Sequence, residues 1–170
     1  MTVPATPFGS ATGPRRWGRA QDRSVTDPYK RTKKLHEPTV CPQCGAVYHE
    51  GRWQWRERPA GAHEELCQAC HRINDAFPAG VVTLTGRFVD AHRDALLHVI
   101  RRQEELEKPE HPFNRIMNIE EAPERVVVTT TDIHLPHRIG RALDSAFGGE
   151  LDFQYDEDGY FLRVDWRRDD

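Results

Sequence analysis

The stretch CPQCGAVYHEGRWQW, residues 41–55, joins a Cys-x-x-Cys turn to a predicted hairpin, and a second turn, CQAC, follows at residues 67–70. Two such pairs supply the four thiolates that a tetrahedral zinc ion prefers. The 22 residues 45–66 separate the pairs, slightly more than the about 15–20 usual for this motif. That gap accommodates one hairpin. The sequence predicts a zinc ribbon or treble clef whose metal ligands are Cys41, Cys44, Cys67 and Cys70.

The predicted zinc is structural rather than catalytic, because four cysteine ligands leave no open position for water. A segment of about 40 residues is too small to be stabilised by its own core, and metal binding would supply the missing free energy. Gly45 suits the first turn because glycine accepts positive φ. Three alternatives stay open: iron in place of zinc, two independent dithiols, or a histidine ligand from the set His49, His63 and His71.

The composition excludes several classes of protein. Of the 170 residues, 37% are hydrophobic and 30% are charged, which is more polar than a compact domain at roughly 45–50% apolar. No run reaches the roughly 18 apolar residues of a membrane span, and no secretory signal opens the chain. We therefore predict a cytoplasmic protein without a membrane partner. In that reducing compartment, paired cysteines indicate metal ligands or redox centres before disulfides.

Charge is distributed unevenly along the chain, whose net charge is −3. Residues 1–72 hold 12 Lys/Arg against 7 Asp/Glu, whereas residues 73–170 hold 12 against 20. This asymmetry suggests that the basic half meets a polyanion. Residues 1–35 contain few large apolar groups and many basic ones, so we predict a disordered basic arm.

The hairpin adds aromatic and basic side chains next to this arm. Alternation along a strand would place Trp53 and Trp55 on one face and Arg52 and Arg56 on the other. The rings could stack on unpaired bases while the guanidinium groups pair with phosphates. Alternatively, the tryptophans cover the small core of the module. Contacts with RNA or the ribosome are predicted for Arg15, Arg16, Arg31, Lys33, Lys34, Arg52, Trp53, Trp55, Arg56 and Arg72.

Residues 79–168 are predicted to form an α+β domain after the zinc module at residues 36–78. Residues 81–85 and 126–130 are β-branched runs typical of strands. An apolar stripe at helical spacing predicts a helix over residues 90–108, capped by Asp90.

The rest of this domain shows further local patterns. Residues 109–123 contain three prolines and predict a loop. A helix is expected from about Pro136 to Gly148. The alternating runs at residues 151–155 and 160–166 flank an Asp-Gly turn and predict a hairpin. The resulting order is a β-α-β-α-β-β sandwich.

Evidence for an enzyme is weak. Asp132, His134 and His137 cluster where a helix is expected to begin, and they could bind a metal or transfer protons. Helix capping with solvent exposure is the simpler interpretation. No Ser/His/Asp set, phosphate-binding loop or paired-carboxylate motif has supporting context. We therefore predict that the protein is not an enzyme and has no small-molecule substrate.

Residues 37–55 resemble a bacterial family of small uncharacterised zinc-ribbon proteins. The motif Cys67-x-x-Cys70-His71-Arg72 and the ending Gly159-Tyr160-Phe161-x-Arg163-Val164-x-Trp166 are similar too. This resemblance covers roughly residues 30–168 and implies a zinc ribbon, with no established activity. The paired cysteines are also similar to the zinc-binding N-terminal part of the archaeal and eukaryotic adaptor for large-ribosomal-subunit export, and that similarity implies ribosome binding.

These features predict a non-enzymatic zinc-binding protein that associates with RNA or ribosomes. The alternative is a protein–protein adaptor that binds its partner through the acidic α+β domain and uses zinc only for structure.

Overall fold

The computed structural model describes residues 28–31 and 33–170, which form two sheets and four helices. This confirms the predicted α+β class. Most of the predicted basic arm, including Arg15 and Arg16, lies outside the described residues. No helix in the described part of the chain has the length and apolar character needed to cross a bilayer.

The cysteine module is a small four-stranded sheet followed by a helix. The second and third strands form the predicted hairpin, whose turn uses positive φ at Glu50 and Gly51. The first strand pairs antiparallel with the second and parallel with the fourth. In order, the elements are β1 Thr39–Val40, β2 Val47–His49, β3 Arg52–Gln54, β4 His63–Glu64 and α1 Gln68–Asp75.

The larger part of the chain is a five-stranded sheet with helices on one face. Its order is β6-β7-β5-β9-β8, with β5 parallel to β9 and all other pairs antiparallel. The hairpin of residues 151–166 and the helix expected from about Pro136 to Gly148 are present. The elements are β5 Gly80–Thr85, α2 Arg87–Ala91, α3 Arg93–Glu107, β6 Ile116–Ala122, β7 Arg125–Thr130, α4 His134–Phe147, β8 Glu150–Tyr155 and β9 Leu162–Arg167.

The core lies between this sheet and helices α3 and α4. Alternate residues of the three central strands are buried, as expected where one sheet face is covered and the other meets water. Each large side chain that is fully buried contributes about 1.5–3 kcal/mol. The fully buried side chains include Val82, Leu84, Leu96, Ile100, Val126, Val128, Leu135, Ile139, Leu143, Leu162, Val164 and Trp166.

The prediction of a loop over residues 109–123 is wrong. Within that range, β6 Ile116–Ala122 pairs with β7 at the edge of the sheet. Its exposed acidic residues Glu120 and Glu121 hid the apolar alternation, and charged side chains are usual on edge strands. The predicted β-α-β-α-β-β order therefore lacks one strand.

The predicted helix over residues 90–108 begins earlier and is interrupted. It starts at Arg87 as α2 and breaks at His92, whose φ of −128° is not helical. Asp90 does not cap α3; its carboxylate accepts a hydrogen bond from the Glu124 backbone N–H at 2.9 Å. Leu106, placed on the predicted apolar stripe, is 47% exposed.

Gly86 ends β5 under two constraints that a side chain would violate. Its φ is +110°, and a Cβ there would overlap the backbone carbonyl of Arg168. We expect Gly86→Ala to lower the free energy of unfolding by about 3 kcal/mol, from strain plus overlap. Gly159→Ala is the matched control: Gly159 has φ +74°, but no atom of the described residues lies within 4 Å of where its Cβ would stand. Urea unfolding that shows equal losses for both variants would contradict this account.

Candidate metal centre

The four cysteine sulfurs lie within 4.8 Å of one another. Three of the cysteines, Cys41, Cys67 and Cys70, are buried, and Cys44 is half-buried. Sulfur is a preferred zinc ligand, and four sulfurs this close can surround one ion. The expectation that the two pairs meet is confirmed. The four cysteines could therefore bind a metal ion.

The first pair is held by a tight turn. The Cys41 carbonyl accepts from the Gly45 N–H at 2.9 Å, and the Cys41 N–H donates to the Ala46 carbonyl at 2.8 Å. Gly45 adopts φ +81°, as expected for this turn. These bonds hold the side chains of Cys41 and Cys44 on one side of the chain.

The second pair lies at the start of helix α1. Cys67 is the residue that caps the helix, and its sulfur accepts from the Cys70 N–H at 3.4 Å. The Cys67 N–H in turn donates to the Cys41 sulfur at 3.4 Å, which connects the two pairs directly. The positive end of the helix dipole favours negative charge on these sulfurs.

Arg115 is a further residue of this site that the sequence did not reveal. Its guanidinium donates to the sulfurs of Cys44, Cys67 and Cys70, at 3.2, 3.7 and 3.4 Å. The residue is only 7% exposed. It lies 45 residues beyond Cys70, in the segment predicted to be a loop, and no spacing rule connects it to the cysteines.

The backbone around Arg115 holds the guanidinium in place. Its Nε donates to the Pro112 carbonyl at 2.6 Å, and its backbone N–H donates to Thr131 Oγ1 at 3.1 Å. Thr131 follows β7 directly, so the five-stranded sheet fixes the position of the arginine. The cysteine module and the α+β part are thus joined at the thiol cluster.

Hydrogen bonds and burial shift the pKa values of the cysteine thiols and of Arg115. A hydrogen bond with Cys67, assisted by Arg115, lowers the pKa of Cys44 to about 4. The same bond, together with burial, raises the pKa of Cys67. Burial opposes the charge of Arg115, but its hydrogen bonds to Cys70 and Cys44 outweigh burial and raise the pKa of the guanidinium. The lowered pKa of Cys44 favours its thiolate form beside the Arg115 guanidinium.

Trp53 and Trp55 contact the α+β part beside the thiol cluster. The Trp53 ring lies 5.8 Å from the Phe113 ring and 5.7 Å from Tyr48. Trp55 Nε1 donates to the Lys108 carbonyl at 2.7 Å, and the Arg115 guanidinium lies 5.4 Å from the Trp55 ring. The tryptophans thus cover the metal centre and pack against the α+β part.

The residues predicted to contact nucleic acid differ in their exposure and in their contacts. Lys33, Lys34, Arg52 and Arg56 are exposed. Arg31 forms an ion pair with Glu65.

Arg72, unlike these exposed residues, is buried. It is 3% exposed, its guanidinium lies 4.4 Å from the Tyr29 ring, and its Nη1 donates to the Phe77 carbonyl at 3.2 Å. This placement gives Arg72 an internal role, in which it packs Tyr29 and its neighbours against α1.

The histidines that the sequence singled out lie at the start of α4. The Asp132 carboxylate accepts from the backbone N–H groups of His134 and Leu135, at 2.8 and 3.2 Å, as the capping interpretation expects. Burial raises the pKa of Asp132 to about 6. Among residues 28–31 and 33–170, the four cysteines are the one group of three or more potential ligands close enough to share an ion.

No family model, no curated protein and no solved structure matches this chain. The site is therefore interpreted from its own geometry.

The geometry predicts one metal ion for each chain. We expect purified protein to contain one equivalent of zinc, and its cobalt-substituted form to show the absorption bands of a tetrahedral tetrathiolate. Because the chain has four cysteines in all, a thiol reagent reports on the cluster alone. Metal-loaded native protein should react slowly, and protein unfolded with a chelator should show four thiols. Substoichiometric metal together with four reactive thiols in the native state would contradict the assignment.

Arg115 is expected to strengthen metal retention. Arg115→Gln removes the cation that contacts three sulfurs, so we expect metal affinity to fall about 10–100-fold. Competition with a chromophoric chelator measures this affinity. Arg102→Gln is the control, since Arg102 is an exposed residue paired with Glu105 on the surface. Equal metal affinities for the two variants would show that Arg115 has no role at the metal.

Proposed function

We propose that this protein is a non-enzymatic, zinc-stabilised protein that binds RNA through its phosphate groups. The observation that carries the proposal is the division of the β2–β3 hairpin. Arg52 on β3 and Arg56 just after this strand are exposed, whereas Trp53 and Trp55 are half-buried and pack against the α+β part.

The metal supports this function by holding the hairpin. Four closely spaced sulfurs, three of them buried, favour zinc in a closed tetrahedral site. One cysteine pair precedes the hairpin and the other begins α1, which is the arrangement of a treble clef. This arrangement supports the treble clef among the two predicted module types, zinc ribbon and treble clef. Without the ion, repulsion between the thiolates would oppose the approach of the two pairs.

The exposed cations suit a polyanion. Lys33 and Lys34 are exposed and precede β1 in the chain, while Arg52 and Arg56 lie on the hairpin. Guanidinium and ammonium groups bind phosphates irrespective of base identity. Because Trp53 and Trp55 are half-buried and contact Phe113 and Lys108, base stacking has no part in the proposal. The similarity of the cysteine pairs to a ribosome-export adaptor makes ribosomal RNA the first RNA to test.

The adaptor alternative has a specific observation in its favour. The face of the five-stranded sheet opposite the helices exposes charged residues, including Arg163, Asp165 and Arg167 along β9. A protein partner could dock on that face by charge complementarity. The two functions use different surfaces, so substitutions separate them.

RNA binding should depend steeply on salt. We expect the double variant Arg52→Gln/Arg56→Gln to weaken binding to single-stranded RNA and to reduce the slope of log K against log salt by about 0.7 for each lost contact. Fluorescence anisotropy across a salt series measures both quantities. Arg101→Gln, an exposed arginine of α3, is the matched control and should leave both unchanged.

Two further outcomes separate RNA binding from the adaptor function. Deleting residues 1–27 removes Arg15, Arg16, Arg19 and Arg23 but keeps Tyr29, which packs on Arg72. RNA affinity should fall in this variant. Binding that is equally strong at low and high salt would contradict phosphate recognition. Loss of a captured protein partner on substitution of Arg163 and Arg167, with RNA binding absent, would support the adaptor instead.

A further inference from the structure

A cavity of about 530 Å³ lies between the end of α3, the start of α4 and the end of β8. Its volume lies within the roughly 300–1,000 Å³ range of small-molecule sites. Polar side chains make up most of its lining, which is Glu107, His111, Asn114, Ile133, His134, His137, Arg138 and Tyr155.

The one carboxylate of the lining is already compensated. Glu107 Oε1 pairs with Arg138 Nη1 at 2.8 Å, and Glu107 Oε2 accepts from Asn114 Nδ2 at 3.2 Å. Asp132 stands next to the lining, and its carboxylate accepts from two backbone N–H groups of α4. Because Glu107 is paired with Arg138, the polar groups that remain for a ligand are the imidazoles of His111, His134 and His137 and the phenol of Tyr155.

A ring contact orients the His137 imidazole, which lines the cavity. The imidazole stacks on the Phe153 ring with centroids 4.8 Å apart, which orients the imidazole at the cavity wall. Burial lowers the pKa of His137, and the positive charge of Arg141 lowers it further. A positive charge that disfavours a proton on His137 also favours an anion at the same place.

We propose that this cavity binds a small molecule carrying an oxyanion, either a carboxylate or a phosphate. The imidazoles of His134 and His137 would donate to the oxyanion, with Arg138 and Tyr155 at its edge. A few polar groups in a concave site are the usual basis for recognising small ligands of this kind. The site is independent of the proposed RNA surface, which lies on the cysteine module.

Histidine side-chain NMR of the full-length protein tests the proposal. Inorganic phosphate and succinate are titrated separately at constant ionic strength. We expect saturable shifts of the His134 and His137 ring resonances with at least one probe, and no shift of His98, an exposed histidine of α3 outside the lining. Saturation by phosphate alone identifies a phosphate-bearing ligand, and saturation by succinate alone identifies a carboxylate-bearing one.

Histidine variants test which side chains contribute to binding of the oxyanion in the cavity. His134→Ala/His137→Ala is expected to weaken binding by about tenfold or more, because hydrogen bonds to a charged group are lost. His98→Ala should bind as the parent does. Non-saturating shifts with both probes, or shifts of equal size at His98, would overturn the proposal. The parent protein alone gives that result, so the test does not depend on whether the double variant folds.

Discussion

Placing four cysteine sulfurs together in a buried site is the constraint on which the rest of this structure depends. Thiolates repel one another, and burial raises the cost of each charge. Within the described residues, the Arg115 guanidinium supplies one compensating charge by donating to three sulfurs. A divalent ion would supply two more positive charges, which leaves one of the four thiolate charges uncompensated. A tetrathiolate with one divalent ion carries two negative charges, so a neighbouring arginine still lowers the energy of the complete centre.

This constraint makes the cysteine module and the α+β part interdependent. The sequence suggests a boundary near residue 78, yet the strongest polar contacts of the cluster come from Arg115, on the far side of it. Trp53 and Trp55 reinforce the same joint by packing on Phe113 and Lys108. A small module with little core of its own gains stability from this packing. The tryptophans are thereby half-buried against the α+β part, whereas Arg52 and Arg56 are exposed to solvent.

Sequence reasoning succeeded where the physical cause is local and failed where it is not. The Cys-x-x-Cys spacing, the positive φ of Gly45 and the alternation of β9 depend on neighbouring residues, and all three are present. Strand β6 was not predicted, because an edge strand tolerates acidic residues and these mask its alternation of apolar and polar residues. The contact of Arg115 with the thiols spans 45 residues or more, and no local pattern encodes such a contact.

One short segment serves both sites of the protein. Residues 111–115 place Arg115 on the thiol cluster, and they also contribute His111 and Asn114 to the cavity beside α4. The hydrogen bond from the Arg115 backbone N–H to Thr131 Oγ1 fixes this segment beside the turn that leads into α4. Any shift of Arg115 caused by loss of metal would therefore move one wall of the cavity. Thermodynamic linkage makes such coupling reciprocal, so a ligand that requires the intact wall would also favour the metal-loaded state.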